Sequence, residues 1–217
     1  MAAFRDRRDA GEQLAVALEK YKNQNPLVIG IPRGGVETAY YVAKYLNAEM
    51  TLIVTRKLGY PVDPEFAFGA LAEDGSLYLS KMATVNLSEE TRNEVIEKQK
   101  LEIQRRIQKL RGGKPLPALK GRTVIIVDDG IATGATLFAT IKLCQNQKAG
   151  KIVVATPISG YEMLETLEEK VDDVVILETP FDYHAVSQGY DDFYNLTDEE
   201  ALEFLEKWNQ EVSQKNQ

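Results

Sequence analysis

The sequence predicts an α/β protein built on a parallel sheet, and three observations carry that expectation. Short runs rich in β-branched residues, Leu27 to Ile31, Val124 to Val127 and Ile152 to Thr156, alternate with segments whose apolar residues recur at helical spacing. Two of the runs are delivered into small-residue loops, Pro32-Arg33-Gly34-Gly35 and Asp128-Asp129-Gly130. At 217 residues and 44% hydrophobic content, the chain suits one well-buried domain, residues 1–217, better than two.

In order, the segment from Phe4 to Tyr21 carries Leu14, Ala17, Leu18 and Tyr21 on one helical face, and Asn23 to Pro26 stops it. The strand Leu27 to Ile31 is followed by a helix bearing Val36, Ala39, Tyr40, Ala43 and Leu46. Met50 to Thr55 reads as a second strand, Val124 to Val127 as a third with a helix from Thr136 to Gln145, and Ile152 to Thr156 as a fourth with a helix near Tyr161 to Lys170. Val174 to Leu177 adds a last strand. Such alternation implies right-handed crossovers and a sheet covered on both faces.

Between Lys57 and Lys120 the alternation breaks. Phe66 to Leu71 and Leu77 to Leu79 flank Asp74-Gly75, a hairpin signal, and Ser88 to Leu110 reads as a charged helix ending at Gly112-Gly113. Residues 58–120 are therefore expected to form an insertion at the sheet's edge, and residues 180–212 a C-terminal hood. The polar end, Ser213 to Gln217, is expected to fray.

Composition excludes several classes. Lys+Arg 26 against Asp+Glu 33 gives a net charge of -7, so neither nucleic acid nor an anionic membrane is an expected partner. The single cysteine, Cys144, rules out an internal disulfide and is expected to pack within a helix. With one histidine, His184, neither a Ser-His-Asp nor a Cys-His constellation nor a zinc site can be assembled convincingly. The start Met1 to Arg8 lacks a secretory signal's apolar core, and no apolar run approaches the roughly 18 residues of a membrane span. A cytoplasmic protein is expected, and a homodimer is compatible with it.

The strongest chemical signal is the stretch Val124 to Thr136. Beyond the carboxyl end of a parallel strand, a glycine-containing turn can present several backbone N–H groups to one anion, and the following helix N-terminus adds positive potential. Gly134 and Ala135 allow close approach, Thr133 and Thr136 supply hydroxyls, and a monophosphate fits that cup. Asp128 and Asp129 would repel phosphate, so they should face a vicinal diol or a divalent cation. A ribose 5-phosphate supplies phosphate and diol together.

Across those thirteen positions the chain resembles the 5-phosphoribosyl-1-pyrophosphate (PRPP) motif of type I phosphoribosyltransferases. The resemblance implies their Rossmann-like parallel sheet, PRPP with Mg²⁺ as donor, and an enzyme that transfers the phosphoribosyl group and releases pyrophosphate. It implies that Asp128 and Asp129 hold the ribose hydroxyls, with Mg²⁺ directly or through water and ligand. Gly130, Ile131, Ala132, Thr133, Gly134, Ala135 and Thr136 would hold the 5-phosphate. Pro32 to Gly35 stands where the family places its pyrophosphate loop, so Arg33, Gly34 and Gly35 become candidates. Arg56-Lys57 is similar to the basic pair before the mobile catalytic loop, with Lys57 the stronger pyrophosphate candidate and Leu58 to Glu65 the loop. Arg33, Lys57, Asp128 and Asp129 are the expected catalytic set.

A closer likeness runs from about Phe4 to about Leu205, through Pro-Arg-Gly-Gly-Val, Arg-Lys-x-Gly-x-Pro and Val-Asp-Asp-Gly-Ile-Ala-Thr-Gly, to a bacterial and archaeal group of phosphoribosyltransferase-like proteins without a settled acceptor. Members acting on 6-oxopurines carry an acid before Thr133-Gly134, where this chain has Ala132, which disfavours hypoxanthine or guanine. The acceptor is expected to be a nitrogenous base or amine. A PRPP-sensing regulator with the same pocket and no turnover is the alternative, and a scaffold subunit a third.

Overall fold

The structure is a computed structural model that describes residues 2–63, 66–80, 84 and 87–215. Five strands, β1 (Leu27–Gly30), β2 (Glu49–Leu52), β6 (Thr123–Val127), β7 (Lys151–Ile158) and β8 (Asp173–Glu178), form a parallel sheet in the order β2-β1-β6-β7-β8. Three more, β3 (Thr55–Gly59), β4 (Ala67–Ala72) and β5 (Leu77–Leu79), form an antiparallel sheet of their own. The helices are α1 (Arg7–Ala17), α2 (Gly34–Leu46), α3 (Glu89–Arg111), α4 (Ala135–Asn146), α5 (Tyr161–Glu168) and α6 (Asp198–Lys215). The expected parallel α/β architecture is borne out.

Alternation along the strands divides the core. Val28, Ile125, Val127 and Val153 pack with α1, α2 and α6, whereas Leu27, Ile29, Val124, Ile126 and Ile152 point to the other face, against α4 and Leu167 of α5. From β1 the chain moves outward to β2, then returns to β6 and proceeds the other way through β7 to β8. The order therefore reverses between β1 and β6, and a crevice opens at such a switch point beyond the strand ends. Both loops singled out in the sequence lie there.

The helix limits follow local chemistry. The Asp6 carboxylate accepts from the Asp9 amide at 2.7 Å and caps α1. Ser88 Oγ accepts from the Thr91 amide at 3.1 Å and caps α3, which ends at left-handed Gly112, φ 59°. Cys144 is buried within α4, as expected.

Several expectations need correction. The second strand does not reach Thr55: β2 stops at Leu52, the Val54 amide donates to Glu73 Oε1 at 3.1 Å, and the chain turns into β3. The Ile53 amide makes the last bond to β1, to the Gly30 carbonyl at 3.2 Å, so apolar Val54 continues the run in sequence without continuing the ladder. Arg56 and Lys57 therefore lie inside β3, opposite Leu71 and Ala70 of β4, rather than at the end of the second strand. Leu58 and Gly59 belong to β3 as well, with Leu58 fully buried, so they are not loop; Pro64 and Glu65 of that segment lie outside the described residues. The insertion, expected at the sheet's edge, forms a separate antiparallel sheet and the helix α3. It packs on α4, where the Tyr78 and Phe138 rings lie 4.9 Å apart and Lys142 Nζ donates to the Leu77 carbonyl at 2.9 Å. The tail does not fray at Ser213, because α6 continues through Lys215; Asn216 and Gln217 lie outside the described residues. Most of α6 lies on α2, with Phe204 against Tyr40 and Tyr41 and the Tyr40 hydroxyl donating to Glu211 at 2.6 Å.

One buried pair ties the small sheet to the large one. Glu73, after β4, and Arg111, at the end of α3, form an almost inaccessible ion pair, and Arg111 also donates to the Leu52 carbonyl at 3.3 Å. Glu73→Gln leaves the guanidinium without a counter-charge and is expected to lower stability by about 3 kcal/mol. Urea unfolding of both proteins checks this; a loss below about 1 kcal/mol contradicts it.

Candidate functional site

Parallel pairing aligns Gly30 of β1 with Val127 of β6, and the Ile31 amide donates to the Val127 carbonyl at 2.9 Å. The loops that follow, Pro32–Gly35 and Asp128–Gly134, therefore leave the sheet side by side. Between them lies a cavity of about 250 Å³ lined by Arg33, Gly34, Lys57, Asp128, Asp129, Gly130, Ile131, Ala132, Thr133, Gly134 and Thr136, with Val186 packed against Gly130. The peptide between Pro32 and Arg33 is cis.

Two helices begin at this cavity. Gly134 occupies the left-handed region, φ 70°, and precedes α4 with no side-chain cap; Arg33 precedes α2, also without one. The first amides of a helix lack intrahelical acceptors, although in α2 the Val36 amide donates to the Arg33 carbonyl at 3.1 Å, and each N-terminus carries partial positive charge. The site thus offers two anion-binding ends, one on either side of an acid pair.

The acid pair is asymmetric. Asp129 Oδ2 accepts from Arg7 Nε at 2.7 Å, and Arg7 is only 3% exposed, with its guanidinium 4.2 Å from the Phe193 ring centroid. The Tyr190 hydroxyl donates to the Asp129 carbonyl. Asp128 has no such counter-ion: burial first, and then the Asp129 charge, hold its carboxyl well above the usual range, while Lys57 pulls weakly the other way. Asp128 Oδ1 accepts from the Asp129 amide at 3.0 Å.

Glycine is required where the loops meet. A Cβ on Gly34 would fall 1.8 Å from Asp129 Oδ2 and 2.8 Å from Arg7 Nε. A Cβ on Gly35 would meet the Val127 carbonyl at 2.8 Å, so Gly35 serves loop packing and does not line the cavity. Ala135 is likewise buried and away from the lining, and Arg56 lines a neighbouring cleft instead.

Sequence reading missed Arg7, Tyr183, Val186 and Tyr190. Arg7 sits in the charged run Arg5-Asp6-Arg7-Arg8, which looks like a solvated surface. Tyr183 has a buried hydroxyl with no partner among the described residues, and burial plus the charges of Asp128 and Asp129 push it up to about 12. His184 is exposed, its Nε2 2.7 Å from exposed Asp182, away from the acid pair's lining.

A parallel sheet with a switch-point crevice, an acid pair and two uncapped helix ends is thus brought together in one place. The chain matches the phosphoribosyl transferase domain family over residues 7–192 and belongs to it. A Mycobacterium tuberculosis protein with a provisional phosphoribosyl transferase name is 40% identical over 216 residues, 99% of this chain and 49% of the relative. The chain thus spans about half the length of the curated relatives it matches. The crystal structure of TT1426 from Thermus thermophilus is similar at 38% identity and a TM-score of 0.80, covering 94% of this chain and 98% of that one. AQ2163 from Aquifex aeolicus, at 16% identity and a TM-score of 0.51 over 80% of this chain and 74% of that one, shares the fold.

Behind the site, Glu37 in the first turn of α2 is buried, and its Oε2 has no hydrogen-bond partner among the described residues. Burial raises its pKa from 4.5 to about 7, opposed by Arg7 and reinforced by Asp6 and Asp129. The folded protein keeps a proton that the unfolded chain releases in that window, so this group's contribution to stability is lost as pH rises from about 4.5 to about 7. Urea unfolding at several pH values is expected to show Glu37→Gln gaining stability on the parent protein as pH rises through this window. A pH-independent difference between the two contradicts the assignment.

Proposed function

We propose that the protein is a phosphoribosyltransferase that binds PRPP with Mg²⁺ and transfers the 5-phosphoribosyl group to a nitrogenous base or amine, releasing pyrophosphate. The observation that carries this reading is the pair of uncapped helix ends flanking Asp128 and Asp129 in one cavity. PRPP has phosphate at both ends of a ribose diol, and the site has an anion-binding end on each side of its acid pair.

In this reading the turn from Gly130 to Thr136 and the start of α4 hold the 5-phosphate through amides and the threonine hydroxyls. Asp129, held in place by Arg7, accepts from a ribose hydroxyl, and Asp128 accepts from the other. The described residues hold no group of three or more His, Cys, Asp and Glu side chains that could hold a metal ion. Mg²⁺ therefore fits as an ion carried by the donor, contacting Asp128 and Asp129 directly or through water. When bound, it offsets negative charge on the leaving group. Arg33, Lys57 and the start of α2 take the pyrophosphate.

The acceptor nitrogen forms a bond to the anomeric carbon as the bond from that carbon to the pyrophosphate oxygen breaks. Pyrophosphate departs with the electron pair, and the nitrogen's proton passes to water. Positive charge fixed at Arg33 and Lys57 favours that departure because it is in place before the charge develops. The acceptor enters opposite the leaving group, on the side closed by Val186 and Tyr183, and Ala132 leaves 6-oxopurines without an acid to read them.

PRPP with Mg²⁺ is expected to raise the melting temperature of the protein, and the double change Asp128→Asn, Asp129→Asn to abolish the rise, because a ligand that binds only the folded state stabilises it. An unchanged melting temperature at saturating PRPP contradicts the reading. Pyrophosphate release during a screen of nucleobases and amines then identifies the acceptor.

A further inference from the structure

Beside the acid-pair cavity opens a larger cleft of about 760 Å³, and the two share Pro32, Arg33, Lys57 and Thr136. Its outer part is built by β3, the turn after it, and α3, and it is of a size that takes small organic ligands. Pyrophosphate bound at Arg33 and Lys57 occupies only the shared end.

The lining is cationic although the chain as a whole is acidic. Arg33, Arg56, Lys57, Lys98 and Arg106 face it against one acid, Glu94. Arg106 is answered by Asp198. Arg56 is half-buried, and its Nε donates to the neutral amide of Gln99 at 3.0 Å. Among the described residues Arg33, Arg56, Lys57 and Lys98 form no ion pair with a carboxylate of the chain. Burial and the nearby Arg106 lower the Arg56 pKa, opposed by the more distant charges of Glu102 and Asp198, as expected of a guanidinium with no carboxylate paired to it. Four cations kept together unneutralised in a cleft raise the local concentration of anions and gain most from one that bridges them.

We propose that this cleft is a polyphosphate site: an anion of at least three linked phosphoryl groups begins at Arg33 and Lys57 and runs along Arg56 to Lys98. Its orientation rests on the phosphoribosyl-transfer reading. That reading puts the leaving group at Arg33 and Lys57 and the acceptor on the Val186 side, so the cleft lies behind the leaving group and cannot deliver the nucleophile. An occupant shares Arg33 and Lys57 with the pyrophosphate of PRPP, and the two compete. Tyr60, Pro61 and Val95 supply an apolar wall at the outer end, so the chain of phosphates comes either free or attached to a nucleoside.

Calorimetric titration of the full chain with pyrophosphate, tripolyphosphate, ATP and ribose 5-phosphate tests this. Tripolyphosphate is expected to bind at least about tenfold more tightly than pyrophosphate, the worth of one further charge-assisted contact. Lys98→Glu, on the exposed face of α3, is expected to weaken tripolyphosphate by about tenfold or more. The same change leaves pyrophosphate and ribose 5-phosphate within about twofold of the parent. Gln99→Glu, which gives Arg56 a carboxylate, shifts binding in the same direction. ATP tighter than tripolyphosphate assigns a nucleoside against Tyr60 and Val95; ATP equal or weaker assigns a free chain. Equal affinity for pyrophosphate and tripolyphosphate, or tripolyphosphate binding unchanged by Lys98→Glu, overturns the proposal. If tripolyphosphate follows the expected pattern while PRPP fails to bind, the phosphoribosyl reading falls and the cleft stands; PRPP binding without that pattern has the opposite meaning.

Discussion

The contact between Arg7 and Asp129 joins three parts of the chain that are distant in sequence: helix α1, the loop after β1 and the loop after β6. Burying a guanidinium carries a large desolvation cost, offset here by the carboxylate at 2.7 Å and the face of Phe193. The pair also explains Gly34, because any side chain there would occupy the space of the Asp129 carboxylate and approach Arg7. With Tyr190 holding the Asp129 carbonyl, the acid reaches the cavity in one orientation. Asp128, which lacks such a partner, resists ionisation. Two adjacent aspartates are thereby set in different surroundings: Asp129 is paired with a buried guanidinium, and Asp128 is buried without one.

Around that pair, charge is arranged by the backbone as much as by side chains. The parallel sheet reverses its order between β1 and β6, so the N-termini of α2 and α4 both open onto the crevice. Each supplies positive potential, and Arg33 and Lys57 extend it into the cationic cleft of β3 and α3. An acidic protein can in this way present a local anion-attracting surface. The insertion that builds the cleft is secured by the Glu73–Arg111 pair beneath it.

Much of this was legible in the sequence because it depends on local patterns. The strand, acid pair, small-residue loop and helix at Val124 to Thr136 are continuous in the chain, and so are Pro32 to Gly35 and the capped ends of α3. What escaped depends on contacts across the fold. Arg7 reads as one charge in a surface run until α1 is packed against a partner 122 residues away. The β3 strand was hidden because Ile53 and Val54 continue the apolar run of β2, although pairing with β1 ends at the Ile53 amide and the Val54 amide already turns to Glu73. Tyr183, Val186 and Tyr190 lie in a segment without periodicity, and only the return of the chain over β7 brings them to the acid pair.

If Arg7 fixes Asp129 as the acceptor for a sugar diol, ribose 5-phosphate must bind less well without it. Titration of ribose 5-phosphate into the parent protein and into Arg7→Gln measures this, with circular dichroism to verify that the variant is folded. Loss of the charge partner is expected to weaken ribose 5-phosphate by about tenfold or more, as for a contact to a charged group. A folded variant that binds ribose 5-phosphate as tightly as the parent would contradict that role for Arg7.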